Sequence, residues 1–322
     1  MRRINSQIRW DDIRKNIEES NCNIICFQET KKEIFDLSYI RKFCPRRFNQ
    51  FAYSPSVGSS GGIITIWNGN LFNGTEISSS KFHVTVELIC KISGQLWYLT
   101  NVYGPTSSAD RALFINWLVS IDTSPMHLWM ILGDFNLIRE PDNRNRPGGD
   151  VHNMLEFNRF IRHHDLLEIP LKGRAYTWSN MQNDPLLEKL DWVFTSSSWT
   201  GFFPNTIATP LAKLSSDHVP IKIQIGLSIP MAKVFRFEEF WLNMQGFSET
   251  VSTFWQHHGV YKNAAQDITA RLKSLRYGLK RWSKSLSQLN KTIDSCNFVL
   301  ALLDGLEDQR LLSLLEKTLE YL

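Results

Sequence analysis

Five short apolar runs, each joined to a polar cluster at one end, constrain what this chain can fold into. They read NIICFQET (23–30), QLWYLTNVYGP (95–105), LWMILGDFN (128–136), KLDWVF (189–194) and SDHVPIKIQI (216–225). Runs of this length, rich in β-branched and aromatic residues, argue for buried strands. The polar residues stand where the runs stop or start: Glu29, Asn101 and Tyr103, Asp134 and Asn136, and Asp217 with His218. Asp191 lies inside an apolar run, where a buried carboxylate needs a partner. Strand ends gather at the rim of a sheet, so these residues can meet although they are far apart in sequence.

Helical patterns alternate with the strands. Ile4, Ile8, Ile13 and Ile17 predict an amphipathic helix at the start of the chain, SSADRALFINWLVSI a second one capped by Ser107 or Ser108, and VHNMLEFNRFIRHHDLL a third. GGIITIWNGN reads as a strand, FHVTVELIC and QLWYLTNVYGP as a hairpin turning near Ser93-Gly94, and AYTWSN as a further strand. Residues 41–47, with four basic side chains, read as irregular, and EPDNRNRPGGD as a loop. Strands and helices mixed over residues 1–226 predict an α/β (α+β) layered domain.

The texture changes after residue 226. Ile268, Leu272, Leu275, Leu279, Trp282, Leu286, Leu289 and Ile293 recur in steps of four and three, a heptad seam, with six basic residues off the seam from Arg271 to Lys284 and no acidic one among them. The expected organisation is a domain over 1–226, a linker over 227–263 and a helical arm over 264–322. The arm reads as an amphipathic helix packed on its own domain or on a partner helix through residues 268–293. A nucleic-acid-contacting basic helix and a calmodulin-type target are the alternatives.

Composition narrows the function classes. At 322 residues and 43% hydrophobic the chain can bury a sizeable core, and a net charge of +4 suits a nucleic-acid partner without requiring one. No apolar run reaches membrane-spanning length, so no membrane partner is expected, and the N-terminal MRRINSQIRW has no secretory signal character. The five cysteines show no Cys-x-x-Cys spacing, which points to a reducing compartment, and no Cys/His spacing suggests zinc. The sequons at Asn73 and Asn290 read as chance.

Hydrolysis of a phosphodiester needs a hard cation on carboxylate oxygens, an oriented water and a base. Glu29 is a candidate ligand, Asp134 or His218 a candidate base, and Asp191 suits the orienter of His218. Asn136 and Tyr103 can hydrogen-bond phosphate oxygens or the leaving oxygen. Singly, each has a plainer reading: Glu29 as a solvated carboxylate, Gly-Asp-Phe-Asn as a turn, Asp217-His218 as a strand entry. His163, His164, His257 and His258 read as exposed and without function.

The joint order Glu, Tyr, Gly-Asp-x-Asn, Leu-Asp, Ser-Asp-His is more specific. Through ICFQETKKE, SGGIITIWN, NVYGP, ILGDFN, LKGRAYTWSN, LEKLDWVFTS and LSSDHVPI, over about residues 5–225, the chain resembles the endonuclease/exonuclease/phosphatase superfamily. Within it, the chain resembles the endonuclease domain of plant LINE-type (non-LTR) retrotransposon polyproteins. VFRFEEFWL and the helical tail resemble the linker to reverse transcriptase in such polyproteins.

The resemblance implies a four-layer α/β/β/α sandwich with two central, mostly antiparallel sheets, followed by a helical C-terminal arm. It implies Mg²⁺- (or Mn²⁺-) dependent nicking of DNA, and nuclear localisation if DNA is the substrate. Glu29 and Asp217 would serve the metal, Tyr103, Asn136 and Asn101 the phosphate, and Asp134 the attacking water. Asp191 would orient His218, and Thr177 would lie near the DNA groove.

The family begins with a core strand reading roughly Trp-Asn-x-Arg-Gly, which has no counterpart here; MRRINSQIRWDD matches the helix that follows it. Losing that strand would leave two neighbours with unpaired backbone groups and remove one site Asn. Together with the lack of reverse transcriptase motifs, this reads as a retroelement fragment of reduced activity. Two alternatives stand beside the nuclease: a phosphatase acting on a small phosphorylated ligand, and a non-catalytic nucleic-acid-binding or coiled-coil remnant.

Overall fold

The structure is a computed structural model; it describes residues 7–58, 60–213, 216–226, 237, 239–256, 264–283, 286–308, 310–313 and 315–317. Asn5, His257, His258, about half of the expected linker and the side chains of Leu289 and Ile293 lie outside the described residues. The chain divides into two compact units, Met1–Ser228 with Leu300–Leu322, and Ile229–Val299.

The first unit is a mixed α/β fold with two central sheets flanked by helices. Strands β1 (Ile24–Phe27), β2 (Phe48–Val57) and β3 (Ser60–Asn68) form an antiparallel sheet in the order β1-β3-β2. Helices α1 (Gln7–Ser20) and α2 (Leu37–Ile40) cover its outer face: Ile13 and Ile17 of α1 and Ile40 of α2 pack with Phe27, Phe48, Ile64 and Ile66. Pro55 lies in β2, whose place at the sheet edge removes the need for its missing N–H.

The second sheet has six strands. In chain order they are β4 (Phe72–Ser80), β5 (His83–Cys90), β6 (Leu96–Tyr103), β7 (Trp129–Asp134), β8 (Leu167–Glu168) and, further along, a strand over Asp191–Thr195. Two short strands intervene, β9 (Trp178–Ser179) and β10 (Leu187–Glu188), which pair with each other, so the Asp191–Thr195 strand is β11. The sheet order is β4-β5-β6-β7-β11-β8, antiparallel throughout except for the parallel β6–β7 pair. Helix α3 (Ser108–Ser120) connects that parallel pair. It is capped by Ser107, whose hydroxyl accepts the Asp110 N–H. With α4 (Val151–His163) it covers the outer face: Phe114 and Leu118 of α3 and Phe157 and Phe160 of α4 pack on Val102, Ile131, Trp192 and Phe194.

The inner faces of the two sheets meet. The Asn101 amide, on β6, donates to Ile64 O (3.0 Å) and Thr65 Oγ1 (3.2 Å) on β3. Trp67 of β3 lies where a side chain at Gly74 of β4 would stand, at 2.5 Å. The layers therefore run α/β/β/α, the arrangement that the motif order implies. After a short helix α5 (Ser197–Phe202), the domain closes with a two-stranded sheet, β12 (Ile207–Pro210) and β13 (Ile221–Gln224). Among the described residues β1 pairs with β3 alone and β13 with β12 alone.

Three elements depart from the sequence reading. β2 follows directly on the segment read as irregular, and β4 has no apolar alternation to betray it, since most of its residues are exposed. The strand expected over 175–180 is two residues long.

In the second unit, α6 (Phe247–Trp255) packs on α7 (Ala264–Ser283). Gly278 of α7 is the contact point, since a Cβ there would fall 2.2 Å from the Phe254 ring. Trp282 packs on Trp241 and Phe247 at 5.7 and 5.6 Å between ring centroids. The heptad seam does not follow one helix, for α7 ends at Ser283 and α8 spans Ser287–Glu307. Leu279 is buried, whereas Ile268 and Leu272 are more than half exposed. No helix of the described residues is long and apolar enough to cross a membrane.

Candidate active site

The site starts from the register of β7 and β11. Asp134, the last residue of β7, is the direct partner of Asp191, the first residue of β11. Side chains alternate along a strand. Trp192 and Phe194 of β11 enter the α3/α4 core, so Asp191 faces the other way, beside Asp134. Gly133 permits the approach of β6: it has φ +138°, and a Cβ there would stand 2.1 Å from Val102 O.

His218 is brought to this pair by backbone bonds between two short segments. Val219 N–H donates to Thr177 O (2.8 Å), and Ser179 N–H donates to Asp217 O (3.0 Å). On the other side of the same segment, Thr177 N–H donates to Glu188 O (2.9 Å). The Thr177 hydroxyl oxygen accepts the N–H groups of Leu190 and Asp191, both at 3.0 Å. Residues 177–179 thus hold Asp191 on one side and His218 on the other.

The imidazole Nδ1–H donates to Asp191 Oδ2 at 2.8 Å, and Nε2 stands 3.6 Å from Asp134 Oδ2. Burial works against charge on the ring, but Asp191 and Asp134 outweigh it and raise the His218 pKa to about 9. Burial raises Asp134 to about 7, against the pull of His218 and with the help of Asp191. The two carboxyl groups thus favour the charged ring, and burial makes the Asp134 carboxyl hold its proton more tightly than usual. This arrangement favours Asp134 over His218 as the proton acceptor.

Asn136 trains Asp134. It has φ +51°, its N–H donates to Asp134 Oδ1 (3.0 Å), and its amide donates to Asp134 Oδ2 (3.2 Å) and Gly104 O (2.8 Å). Tyr103 ends β6 beside Asp134 in the parallel register and is half-buried. Glu29 follows β1 with φ +54°, and its Oε1 pairs with Lys31 Nζ at 3.2 Å. The backbone just after it is clamped to β3, with Thr30 N–H on Gly62 O and Lys31 N–H on Gly61 O, both 3.0 Å. Asp217 accepts the Trp178 indole N–H at 3.3 Å.

Two expected contact residues are inside the protein. Asn101 is fully buried and ties the sheets together; its Oδ1 accepts the Gln28 amide at 2.5 Å. Thr177 is fully buried and holds the Asp191 backbone. Its positioning role has one trace in the sequence, the alternation of Tyr176, Thr177, Trp178 and Ser179 beside two polar runs.

Asp134, Asp191 and His218 each offer one ligand atom, and the three atoms lie within 4.8 Å of one another. Two carboxylates and an imidazole, once the ring gives up its second proton, form a donor set suited to a divalent cation. That cluster does not include Glu29 or Asp217.

No family model matches the chain. It is 26% identical over 281 residues, 79% of its length, to the transposon TX1 uncharacterized 149 kDa protein of Xenopus laevis, and it spans only 21% of that relative. Among solved structures, the AP endonuclease LMAP from Leishmania major matches with a TM-score of 0.51 at 15% identity, covering 69% of this chain and 85% of that one. The endonuclease domain of TRAS1, a telomere-specific non-LTR retrotransposon, matches with a TM-score of 0.54 at 12% identity, covering 70% and 95%. The chain therefore folds as these endonuclease domains do.

Proposed function

We propose that this protein hydrolyses phosphodiester bonds of DNA with a divalent cation, Mg²⁺ or Mn²⁺, as a nicking endonuclease of retroelement origin. The observation that carries the reading is the convergence of His218, Asp191 and Asp134, drawn from two strand ends and a strand entry, with Asn136 trained on Asp134. The fold of the LMAP and TRAS1 endonucleases supports the chemistry, and the transposon TX1 protein supports the origin. The plant LINE-type assignment and nuclear residence rest on the motif resemblance and on the substrate.

A cation held by carboxylates of this site, with Glu29 and Asp217 as further candidates, would neutralise the phosphate. The chain's own groups account for the rest. Asp134 accepts the proton of the attacking water. The phosphorus–oxygen bond to water forms as the bond to the leaving oxygen breaks. The His218 imidazolium, steadied by Asp191, hydrogen-bonds the phosphate as negative charge grows there. Tyr103 lies beside Asp134 and suits the leaving side.

The test is nicking of supercoiled plasmid by the full chain with Mg²⁺, with EDTA, and by His218→Ala. Cleavage that needs both the cation and His218 supports the reading. Folded protein that leaves the plasmid intact with either cation overturns it.

A further inference from the structure

The end of α8 reaches the segment that builds the site. Asp308 Oδ2 accepts the N–H groups of Ala175 (2.8 Å) and Tyr176 (3.4 Å). Arg174, whose side chain is 4% exposed, pairs with Asp304 (2.9 Å), Asp308 (3.6 Å) and Glu307 (4.0 Å). Its Nε–H also donates to Tyr176 O at 2.9 Å. Farther along, Lys317 Nζ donates to Asn183 O at 3.0 Å. Residues 174–176 are therefore held through both N–H and C=O groups by a charge cluster whose acidic half comes from the last turn of α8 and the residue that follows it.

Residue 177 comes next in the chain, and its hydroxyl and carbonyl carry Asp191 and Val219. The connection is short: Asp308 to the Ala175 and Tyr176 amides, through the backbone to Thr177, then to Asp191 and His218. A buried guanidinium among three carboxylates is costly to break, because loss of one member strands the others. Such a cluster holds its backbone in one place.

We infer that Asp308 is a positioning residue of the site, fixing the Asp191–His218 pair through Thr177, so that the end of α8 is a working part of the nuclease unit. The activity arm of the test rests on the nuclease reading above; the spectroscopic arm does not.

The test uses the full chain and the variants Asp308→Ala and Asp308→Asn. The first readout is the proton resonance of His218 Nδ1–H in metal-free buffer, identified by its loss in His218→Gln. Asp308→Ala is expected to move it upfield or broaden it away. Asp308→Asn keeps an oxygen for the two amides and is expected to restore it. The second readout is Mg²⁺-dependent nicking: kcat falls about tenfold in Asp308→Ala with KM within twofold, as for other residues that orient a site from behind it. An unchanged resonance in folded Asp308→Ala overturns the inference, whatever the nicking assay shows. If Asp308→Ala does not fold, Arg174→Met replaces it and is judged by the same resonance.

Discussion

Asp134 and Asp191 are cross-strand partners at the shared end of β7 and β11, and His218 lies against both, 3.6 Å from one and 2.8 Å from the other. Two carboxyl groups this close and this buried repel one another. The imidazolium between them relieves that repulsion and is itself stabilised by it.

Asp191→Asn keeps the shape of the pair and removes its charge. The His218 pKa is expected to fall from about 9, since Asp191 is the foremost group raising it. Nicking should drop by about 10²–10⁴. An NMR titration of the imidazole and single-turnover nicking measure the two effects. A His218 pKa unmoved by the substitution would contradict the assigned pairing.

Stability should fall as pH rises. Asp134 and His218 both hold protons more tightly folded than unfolded, with pKa values raised from 3.8 to about 7 and from 6.5 to about 9. The native state therefore binds more protons, and the His218 contribution, complete below pH 6.5, is lost as pH climbs through about 9. Urea unfolding in metal-free buffer should show a loss of roughly 1–3 kcal/mol across that window. The curve for His218→Asn should be flatter there.

Thr177→Val removes the acceptor of two buried N–H groups while keeping the side-chain shape. The cost should be about 1–3 kcal/mol. Thr177→Ser, which retains the hydroxyl, should lose less than half of that. Chemical denaturation of the three proteins decides the matter.

Gly133→Ala places a Cβ against the Val102 carbonyl at a backbone angle that L-residues rarely adopt. A destabilisation above about 3 kcal/mol, or failure to fold, is the expected outcome. Circular dichroism of the purified variant checks it.

Mg²⁺ or Mn²⁺ should stabilise the folded chain. At one hundred times its Kd, a cation bound only to the native state adds about 2.7 kcal/mol. Thermal shift with and without EDTA measures the effect, and Asp134→Asn should abolish most of it.

Much of the layered fold can be read from the chain alone, because buried strands and amphipathic helices carry their periodicity locally. NIICFQET, FHVTVELIC and LWMILGDFN are strands, and the helix after Ser107 starts where its cap lies. The elements that escaped are those whose neighbours, rather than their own pattern, hold them in place. β4 exposes most of its residues, and β10 is two residues long.

The sequence by itself determined which chemical groups this protein has to work with: the carboxylates, the imidazole and the glycine that lets two strands approach. Tertiary structure alone decided what those groups do. Register set Asp134 beside Asp191, the Thr177 segment carried His218 to them, and the two carboxyl groups, against the effect of burial, raised the affinity of the imidazole for its second proton. Burial and long-range register also withdrew Asn101 and Thr177 from solvent, since a polar side chain is committed to whichever partner the packed sheets bring within reach.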